Sequence, residues 1–211
     1  TGSRLYPLTN VISKQLLPVY DKPMIYYSLS TLMISGIREF LIITTPRDCE
    51  SFKNLLGDGS HLGIIINFQI QQKPNGIAEA FKLGKKFIGS SKVALILGDN
   101  IFHGNSLTEF LDESTISNDG ATIFAYSVGD PERYGIVEFD QFGKVSKIVE
   151  KPKVAKSNFA ITGLYFYDNT VVKKAKEISP SARSELEITT INELYLQEGK
   201  LKTYSLNRGS A

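Results

Sequence analysis

The order in which two textures follow one another constrains this fold more than any other feature of the sequence. In the first half, short apolar runs alternate with stretches of helical period. Met24 to Ser35 sets Ile25, Leu29, Leu32 and Met33 on one helical face, and Gly36 follows where a left-handed C-cap belongs. Glu39 to Thr44 reads as a buried strand, Asp48 to Leu56 as a helix with Phe52, Leu55 and Leu56 inward, and Ile64 to Ile70 as a strand. Gly76 to Lys86 predicts a helix with Ile77, Ala80, Phe81 and Leu83 on its apolar side. Lys92 to Leu97 is apolar at nearly every position, which predicts a strand buried on both faces within a parallel sheet. Ser106 and Glu109 have capping-box spacing at the start of a short helix.

The second half runs strand after strand: Ala121 to Val128, Gly135 to Phe139, Val145 to Lys151 and Ala160 to Tyr167. Asp140 to Gly143 is a natural hairpin turn between the middle two. Asn169 is placed to cap a helix through Ile178, and Ser184 with Glu187 forms a second capping box before a helix carrying Ile188, Ile191 and Tyr195 on one face. Lys200 to Leu206 closes with a strand. Alternating strand and helix followed by hairpins predicts an α/β sandwich, parallel at its centre with antiparallel additions. No linker-like tract interrupts the 211 residues, so the sequence predicts one domain over 1–211.

Composition removes several classes of function. The single Cys49 cannot pair within the chain, which excludes a disulfide framework and fits a reducing, cytoplasmic setting. One Cys and two His cannot build a zinc centre of the usual kind. A net charge of +2 from 24 basic and 22 acidic residues is too even for a general nucleic-acid binder, although a local basic pocket stays open. No apolar run approaches the roughly 18 residues of a membrane span, and the first residues carry no signal-peptide core. The expectation is therefore no nucleic acid and no membrane.

Four short constellations can carry chemistry. The opening segment concentrates Gly2, Ser3, Arg4 and Lys14, a small-residue loop with fixed positive charge that suits phosphate; it also reads as a solvated tail. Gly98-Asp99 follows the Lys92–Leu97 run, where ligands of open α/β sheets gather. A carboxylate there suits Mg²⁺ carrying phosphates, or simply caps the next helix. Gln71 and Gly76 bracket another strand end; an amide and a glycine backbone satisfy a pyrimidine edge, and the segment equally makes an ordinary strand–turn–helix link. Glu150-Lys151 ends the hairpin with acceptors for sugar hydroxyls and a charge for phosphate, or with solvated termini. Tyr134-Gly135 offers an exposed backbone contact or a plain strand start, and Arg183 a surface charge. No Ser/His/Asp arrangement is present, and Cys49 reads as structural rather than reactive.

Taken together, the segments SRLYPLT, SKQLLPVYDKPMIYY, LLGDGS, LGDNIFHG, DPERYGIVEFD, EKP, TGLYFYDN and ELEIT resemble the sugar-nucleotide pyrophosphorylases of the glucose-1-phosphate thymidylyltransferase type. The resemblance runs through the whole chain in order. It implies a Rossmann-like three-layer sandwich with a mixed, mostly parallel central sheet and a small antiparallel hairpin region. It implies transfer of a nucleotidyl group from dTTP to glucose 1-phosphate, giving dTDP-glucose and pyrophosphate. Carried onto this sequence, the family pattern assigns the triphosphate and leaving pyrophosphate to Arg4 and Lys14, within the Gly2-Ser3 loop. Gln71 and Gly76 read thymine, and Asp99 binds Mg²⁺. Gly135 and Glu150 hold glucose hydroxyls, Tyr134 lines their surroundings, and Lys151 grips the sugar phosphate. Ile161, Arg183 and Thr189 line the sugar-phosphate side. The resemblance also implies a homotetramer.

The sequence departs from the family pattern at several points. Ser3 stands where Thr is usual, Ser28 where Pro is, Gln72-Lys73 where Pro-Ser is, and His103 where Tyr is. The family pattern places a strand and glycine-rich loop ahead of this opening, and a second Mg²⁺-ligating Asp beyond Ala211. The expectation is therefore a chain cut at both ends, with weak or no activity as it stands. Two other readings stay open: a pyrophosphorylase using UTP or another sugar 1-phosphate, and a non-catalytic nucleotide-binding relative.

Overall fold

The structure, a computed structural model, describes residues 5–104, 107–116 and 119–207. They form two compact units. One holds the chain up to Pro74 together with Leu97–Phe102; the other holds Asn75–Ile96 and the chain from His103 onward.

The first unit begins with two short 3₁₀ turns, Leu8–Asn10 and Lys14–Leu16, and a small antiparallel ribbon of β1 (Pro18–Val19) and β2 (Lys22–Pro23) that the sequence reading did not anticipate. Helix α1 (Ile25–Ile34) follows, with Ile25, Leu29 and Leu32 buried at the spacing of one face. It ends as expected. Gly36 adopts φ +79°, its N–H reaches Met33 O, and the Ile37 N–H reaches Leu32 O, satisfying carbonyls that the helix leaves open. The Arg38 guanidinium adds a bond to Met33 O at 2.7 Å. Strand β3 (Glu39–Thr44), helix α2 (Cys49–Leu56) and strand β4 (Ile65–Ile70) make a strand–helix–strand unit whose strands pair in parallel from Glu39↔Ile65 to Thr44↔Ile70. Phe52 and Leu56 are buried, whereas Leu55 is only half-buried.

The second unit opens with α3 (Glu79–Leu83) and α4 (Lys85–Ile88), two short helices broken at Gly84 where one helix was predicted. Strand β5 (Val93–Ile96) and helix α5 (Leu107–Ile116) come next; Ser106 of the predicted capping box lies outside the described residues. Then come β6 (Ala121–Ser127), β7 (Gly135–Phe139), β8 (Val145–Glu150), β9 (Phe159–Tyr167), α6 (Val171–Glu177), α7 (Ile188–Gln197) and β10 (Leu201–Leu206). The sheet order is β10-β6-β9-β7-β8, with β5 also on β9. The β10–β6 ladder is parallel and the others are antiparallel, so the sheet is mixed and carries the β7–β8 hairpin at one side. Strand β9 is the pivot. It runs against β6 over most of its length, pairs with β7 at Ala160 near its start, and pairs with β5 from Leu164 to Tyr167 at its end.

The Lys92–Leu97 run therefore behaves differently from its prediction. Strand β5 pairs antiparallel and is half-buried at all four positions, because among the described residues it has a ladder on one edge only. The strand buried on both faces is β9, where eight of nine residues are buried. The hairpin turn does follow expectation: Gly143 takes φ +77°, and Asp140 Oδ1 accepts the N–H groups of Phe142 and Lys144, both at 2.9 Å.

The other two helix-cap predictions in this unit shift by a residue or more. At α6 the capping oxygen is Asp168 Oδ1, which accepts the Thr170 N–H at 2.9 Å, while the Asn169 amide turns away to Gly89 O. At α7, Ser184 sits at φ +60° outside the helix, and Glu187 occupies the N-cap without a side-chain capping bond. The apolar core of the unit runs through Phe81, Ile123, Val137, Tyr165, Tyr167, Val171, Ile191 and Tyr195. Phe81 meets Tyr167 edge-on at 5.3 Å, and Tyr195 stacks on Tyr167 at 5.6 Å. Among the described residues, no helix is long and apolar enough to cross a membrane.

Candidate functional site

In the first unit, chemistry gathers around Asp99. The chain leaves β5 through Leu97 and turns at Gly98, where an added Cβ would lie 2.9 Å from Ile25 Cδ1 and 3.1 Å from Gln15 Cγ. Glycine lets Gln15 pack this closely without displacing it, and the neighbouring Lys14 reaches Asp99: its Nζ lies 3.2 Å from Asp99 Oδ2. The Asn100 amide donates to Asp99 Oδ1 at 3.2 Å. Ser28, buried on α1, braces the turn from beneath. Its hydroxyl lies 3.1 Å from Leu97 O and 3.0 Å from Asn100 O, one proton shared between two carbonyls on either side of Gly98-Asp99. The same unit holds Gln71 directly after β4, its backbone N–H on Thr44 O at 2.8 Å.

Asp99 is a lone hard-oxygen donor: among the described residues no group of three or more His, Cys, Asp or Glu side chains could enclose a metal ion. That chemistry suits Mg²⁺, which keeps several waters and is held by one or two carboxylates together with substrate phosphates rather than by an all-protein cage. Asp99 has one oxygen on Lys14 and one on Asn100, and both contacts are solvent-reachable, since the Lys14 and Asp99 side chains are 33% and 31% exposed.

In the second unit, chemistry gathers around Glu150. Gly135 and Glu150 face each other across the β7–β8 ladder. A Cβ on Gly135 would stand 2.5 Å from Thr189 Cγ2, 3.2 Å from Glu150 Oε2 and 3.8 Å from Ile161 Cδ1. The glycine thus permits a close approach of strand, carboxylate and helix that any side chain would forbid. Thr189 Oγ1 donates to Glu150 Oε2 at 3.0 Å, and Arg183 Nη2 donates to Glu150 Oε1 at 3.0 Å. Lys151 lies at φ +39°, its N–H on Tyr134 O at 3.0 Å and its Nζ 3.7 Å from Glu150 Oε1. Neighbours along a strand point to opposite faces. The left-handed turn at Lys151 instead brings its ammonium round beside the carboxylate of Glu150.

Arg183 is also bound by Glu187, with Nη2 at 2.9 and 3.0 Å from the two carboxylate oxygens and Nε at 3.2 Å from Oε1, and by Glu185 at 3.3 Å. Burial acts to lower the Arg183 pKa, but its hydrogen bonds to Glu187 and the charges of Glu187, Glu150 and Glu185 outweigh it and hold the pKa above its usual value. Tyr165 in β9 is buried, and burial first, then the charge of Glu150, raises its phenol well above the ordinary range.

The structure therefore brings Lys14 to Asp99 in one unit, and Tyr134, Gly135, Glu150, Lys151, Ile161, Arg183 and Thr189 together in the other. Gly76 lies in the second unit, pressed on the backbone of Leu186, and Gln71 in the first. Gly2, Ser3 and Arg4 lie outside the described residues. Several residues of these clusters went unassigned from sequence, Ser28, Glu187 and Tyr165 among them. Ser28 was visible only as a departure from the family pattern, Glu187 was read as a capping carboxylate, and Tyr165 was hidden in an apolar strand.

A family model described as nucleotidyl transferase matches residues 1–211. A curated Neisseria meningitidis relative named glucose-1-phosphate thymidylyltransferase is 55% identical over 211 residues, covering 100% of this chain and 73% of the relative. A Mycobacterium tuberculosis relative of the same name is 53% identical over the same 211 residues, again 100% of this chain and 73% of the relative. Among solved structures, a Bacillus anthracis protein assigned as a glucose-1-phosphate thymidylyltransferase, in complex with sucrose, superposes with a TM-score of 0.90 at 42% identity, covering 98% of this chain and 83% of that one. A UDP-glucose pyrophosphorylase in complex with UDP-glucose superposes with a TM-score of 0.79 at 24% identity, over 98% of this chain and 87% of that one, a likeness of fold.

Proposed function

This chain belongs to the nucleotidyl transferase family, and on that premise we propose that it transfers a thymidylyl group from dTTP to α-D-glucose 1-phosphate, forming dTDP-glucose and releasing pyrophosphate. The observation that most supports this reading is the cluster around Glu150. An ordered carboxylate, a glycine that leaves room beside it, and two cations within 3.7 Å form a polar cradle of the kind a phosphorylated sugar needs.

The chemistry asks little of a general base. A phosphate oxygen of the sugar phosphate, already anionic, forms a bond to the α-phosphorus of dTTP. The bond from that phosphorus to the bridging oxygen breaks, and pyrophosphate departs with the electron pair. The obstacle is the approach of two anions, which repel by about 1 kcal/mol at 4 Å even in water and by more in a drier setting. Lys151 offsets that charge on the sugar phosphate, while Arg4 and Lys14 do so on the triphosphate and on the leaving pyrophosphate. Glu150 and the backbone of Gly135 orient the hexose through its hydroxyls, and Gln71 and Gly76 read the base. Asp99 would hold Mg²⁺, which supplies charge neutralisation on the phosphates. No His or Ser nucleophile is required, in keeping with the sequence.

Pyrophosphate release by the protein at its full natural length tests this reading. Release with dTTP, glucose 1-phosphate and Mg²⁺, outpacing UTP at equal concentration, is the expected result. A clear preference for UTP would move the protein to a related specificity, which one thymine methyl, worth about 1 kcal/mol, separates only modestly. Silence with every nucleotide and sugar 1-phosphate would leave a binding protein in place of an enzyme.

A further inference from the structure

Both oxygens of Glu150 are spoken for: Oε1 by Arg183 and Oε2 by Thr189. Thr189 is fixed in the first turn of α7, but Arg183 lies in the preceding loop and is held there by other groups. Three carboxylates share its guanidinium, and they are not equivalent. The Glu185 side chain is 41% exposed and touches Arg183 at one point, 3.3 Å away. The Glu187 side chain is 9% exposed and receives both the Nε and the Nη2 donors. Glu187 is itself anchored, because Ser181 Oγ donates to its Oε1 at 2.7 Å, and the same Ser181 hydroxyl accepts the Arg183 N–H at 3.2 Å. A chain of contacts thus runs from Ser181 through Glu187 and Arg183 to Glu150.

We propose that Glu187 is a positioning residue for the sugar side of the reaction: it acts through Arg183 to hold the Glu150 carboxylate in its working orientation. The proposal rests on the reading of Glu150 as the residue that binds sugar hydroxyls. Its physical basis is the difference in burial. A nine-tenths buried carboxylate grips the Nε–Nη2 edge of the guanidinium, so the remaining proton on Nη2 is directed at Glu150. Without that grip the nearest alternative partner is Glu185, which faces solvent. Glu150 would then keep only Thr189 and the more distant Lys151. Charge-assisted hydrogen bonds are the strong ones, and the planar fork of Arg can bind two partners in fixed geometry where Lys cannot.

Glu187→Gln preserves shape and removes the charge. It should raise KM for the sugar phosphate about tenfold, the scale of one lost hydrogen bond to a charged group, with KM for the nucleotide and kcat both little changed. Glu187→Asp should recover part of that loss, as a merely structural role would not. If Glu187→Gln fails to fold, Arg183→Lys removes the same arm from a half-exposed position and should give the same selective rise. A folded Glu187→Gln or Arg183→Lys protein with an unchanged KM for sugar phosphate overturns the proposal. So does an equal rise in both KM values, or a crystal structure of Glu187→Gln in which Arg183 still meets Glu150 at its present distance. The failure of the functional reading is separate: it would appear as unmodified protein inactive on dTTP with glucose 1-phosphate. If the protein uses a different sugar phosphate, the comparison is made with that substrate, and the crystal structure decides without any substrate.

Discussion

Lys14 Nζ and Asp99 Oδ2, 85 positions apart in sequence, form an ion pair of 3.2 Å in which each side chain is about one-third exposed. A pair so placed adds at most about 1 kcal/mol to stability, because water screens it and two flexible side chains must be ordered. Its value to the fold is small, and on the proposed reading its value lies in phosphate chemistry, so the two should separate on mutation. Asp99→Asn and Lys14→Met should each move the thermal midpoint by no more than about 2–4 °C, while turnover falls by at least roughly a hundredfold. Chelation of divalent metal should abolish turnover in unmodified protein, and Mg²⁺ should restore it. Turnover in Asp99→Asn within a few-fold of the unmodified protein would remove Asp99 from the metal-binding role.

Ser28 supplies the bracing beneath that pair. Its hydroxyl is fully buried and spans Leu97 O and Asn100 O. Ser28→Ala leaves both carbonyls without that donor, at a cost of about 1–3 kcal/mol. The loop bearing Asp99 then loses its fixed register against α1. The expected outcome is a lowered thermal midpoint together with a several-fold higher Mg²⁺ concentration for half-maximal turnover. An unchanged metal requirement would confine Ser28 to stability alone.

Gly135 and Thr189 are matched in shape. An alanine at 135 would place its methyl 2.5 Å from Thr189 Cγ2 and 3.2 Å from Glu150 Oε2. Helix α7 or the carboxylate must move, and overpacking of this kind costs about 1–3 kcal/mol. Gly135→Ala should therefore raise KM for sugar phosphate strongly. Thr189→Ser removes the clashing methyl but keeps the hydroxyl that donates to Glu150. The double variant Gly135→Ala, Thr189→Ser should bind sugar phosphate better than Gly135→Ala alone. Additive effects in that cycle would show that the clash is relieved elsewhere.

Gly76 illustrates a residue whose sequence assignment to base reading is joined by a demand of the fold. At φ +101° its Cα faces the Leu186 backbone, and an added Cβ would lie 2.4 Å from Leu186 O and 2.5 Å from Leu186 N. Leu186 N–H donates to Asn75 O, and Ala78 N–H donates to Leu186 O, so the two segments are stitched on either side of the glycine. Backbone cannot yield as a side-chain tip can. Gly76→Ala should cost about 3 kcal/mol or more, a drop of at least about 6 °C in thermal midpoint. A fully stable Gly76→Ala protein with weakened nucleotide binding would instead make its role purely one of recognition.

The fold was legible where a residue's local chemistry settles its conformation. Gly36 and Gly143 both adopt the positive φ that their turns require, and Ile25, Leu29 and Leu32 fall on the buried face of α1. Sequence reading went astray where pairing partners are distant. The apolar run at Val93–Ile96 gives no sign that its partner is β9, some 70 residues onward and antiparallel. The site shows the same division. Asp99, Glu150 and Lys151 stand at strand ends, where α/β folds expose functional groups, and they could be picked out as candidates from position alone. Glu187 could not, because the signature of a capping box is also the signature of a carboxylate turned toward Arg183, and only the left-handed Ser184 before it decides between them. Ser28 carried no signal of its own, since a serine within a helix shows its partners only when the loop above it is in place.

Three buried phenols define the behaviour of the second unit at high pH. Burial is the first cause of the raised pKa of Tyr165, Tyr167 and Tyr195, with the charge of Glu150 adding to it at Tyr165 and the hydrogen bond to Asp168 at Tyr195. In the unfolded chain each would ionise near the ordinary value of about 10. A folded-state pKa above the unfolded one means that the neutral form is favoured by folding. That contribution is complete below about pH 10 and is lost as pH rises above it, by about 1.4 kcal/mol per pH unit for each phenol. Stability should fall progressively as pH rises above about 10. Phenolate absorbance followed alongside circular dichroism should show these tyrosines ionising only as structure is lost. A smooth titration of all 10 tyrosines near their ordinary pKa, with the secondary structure intact, would mean that these rings are reached by water in the folded protein.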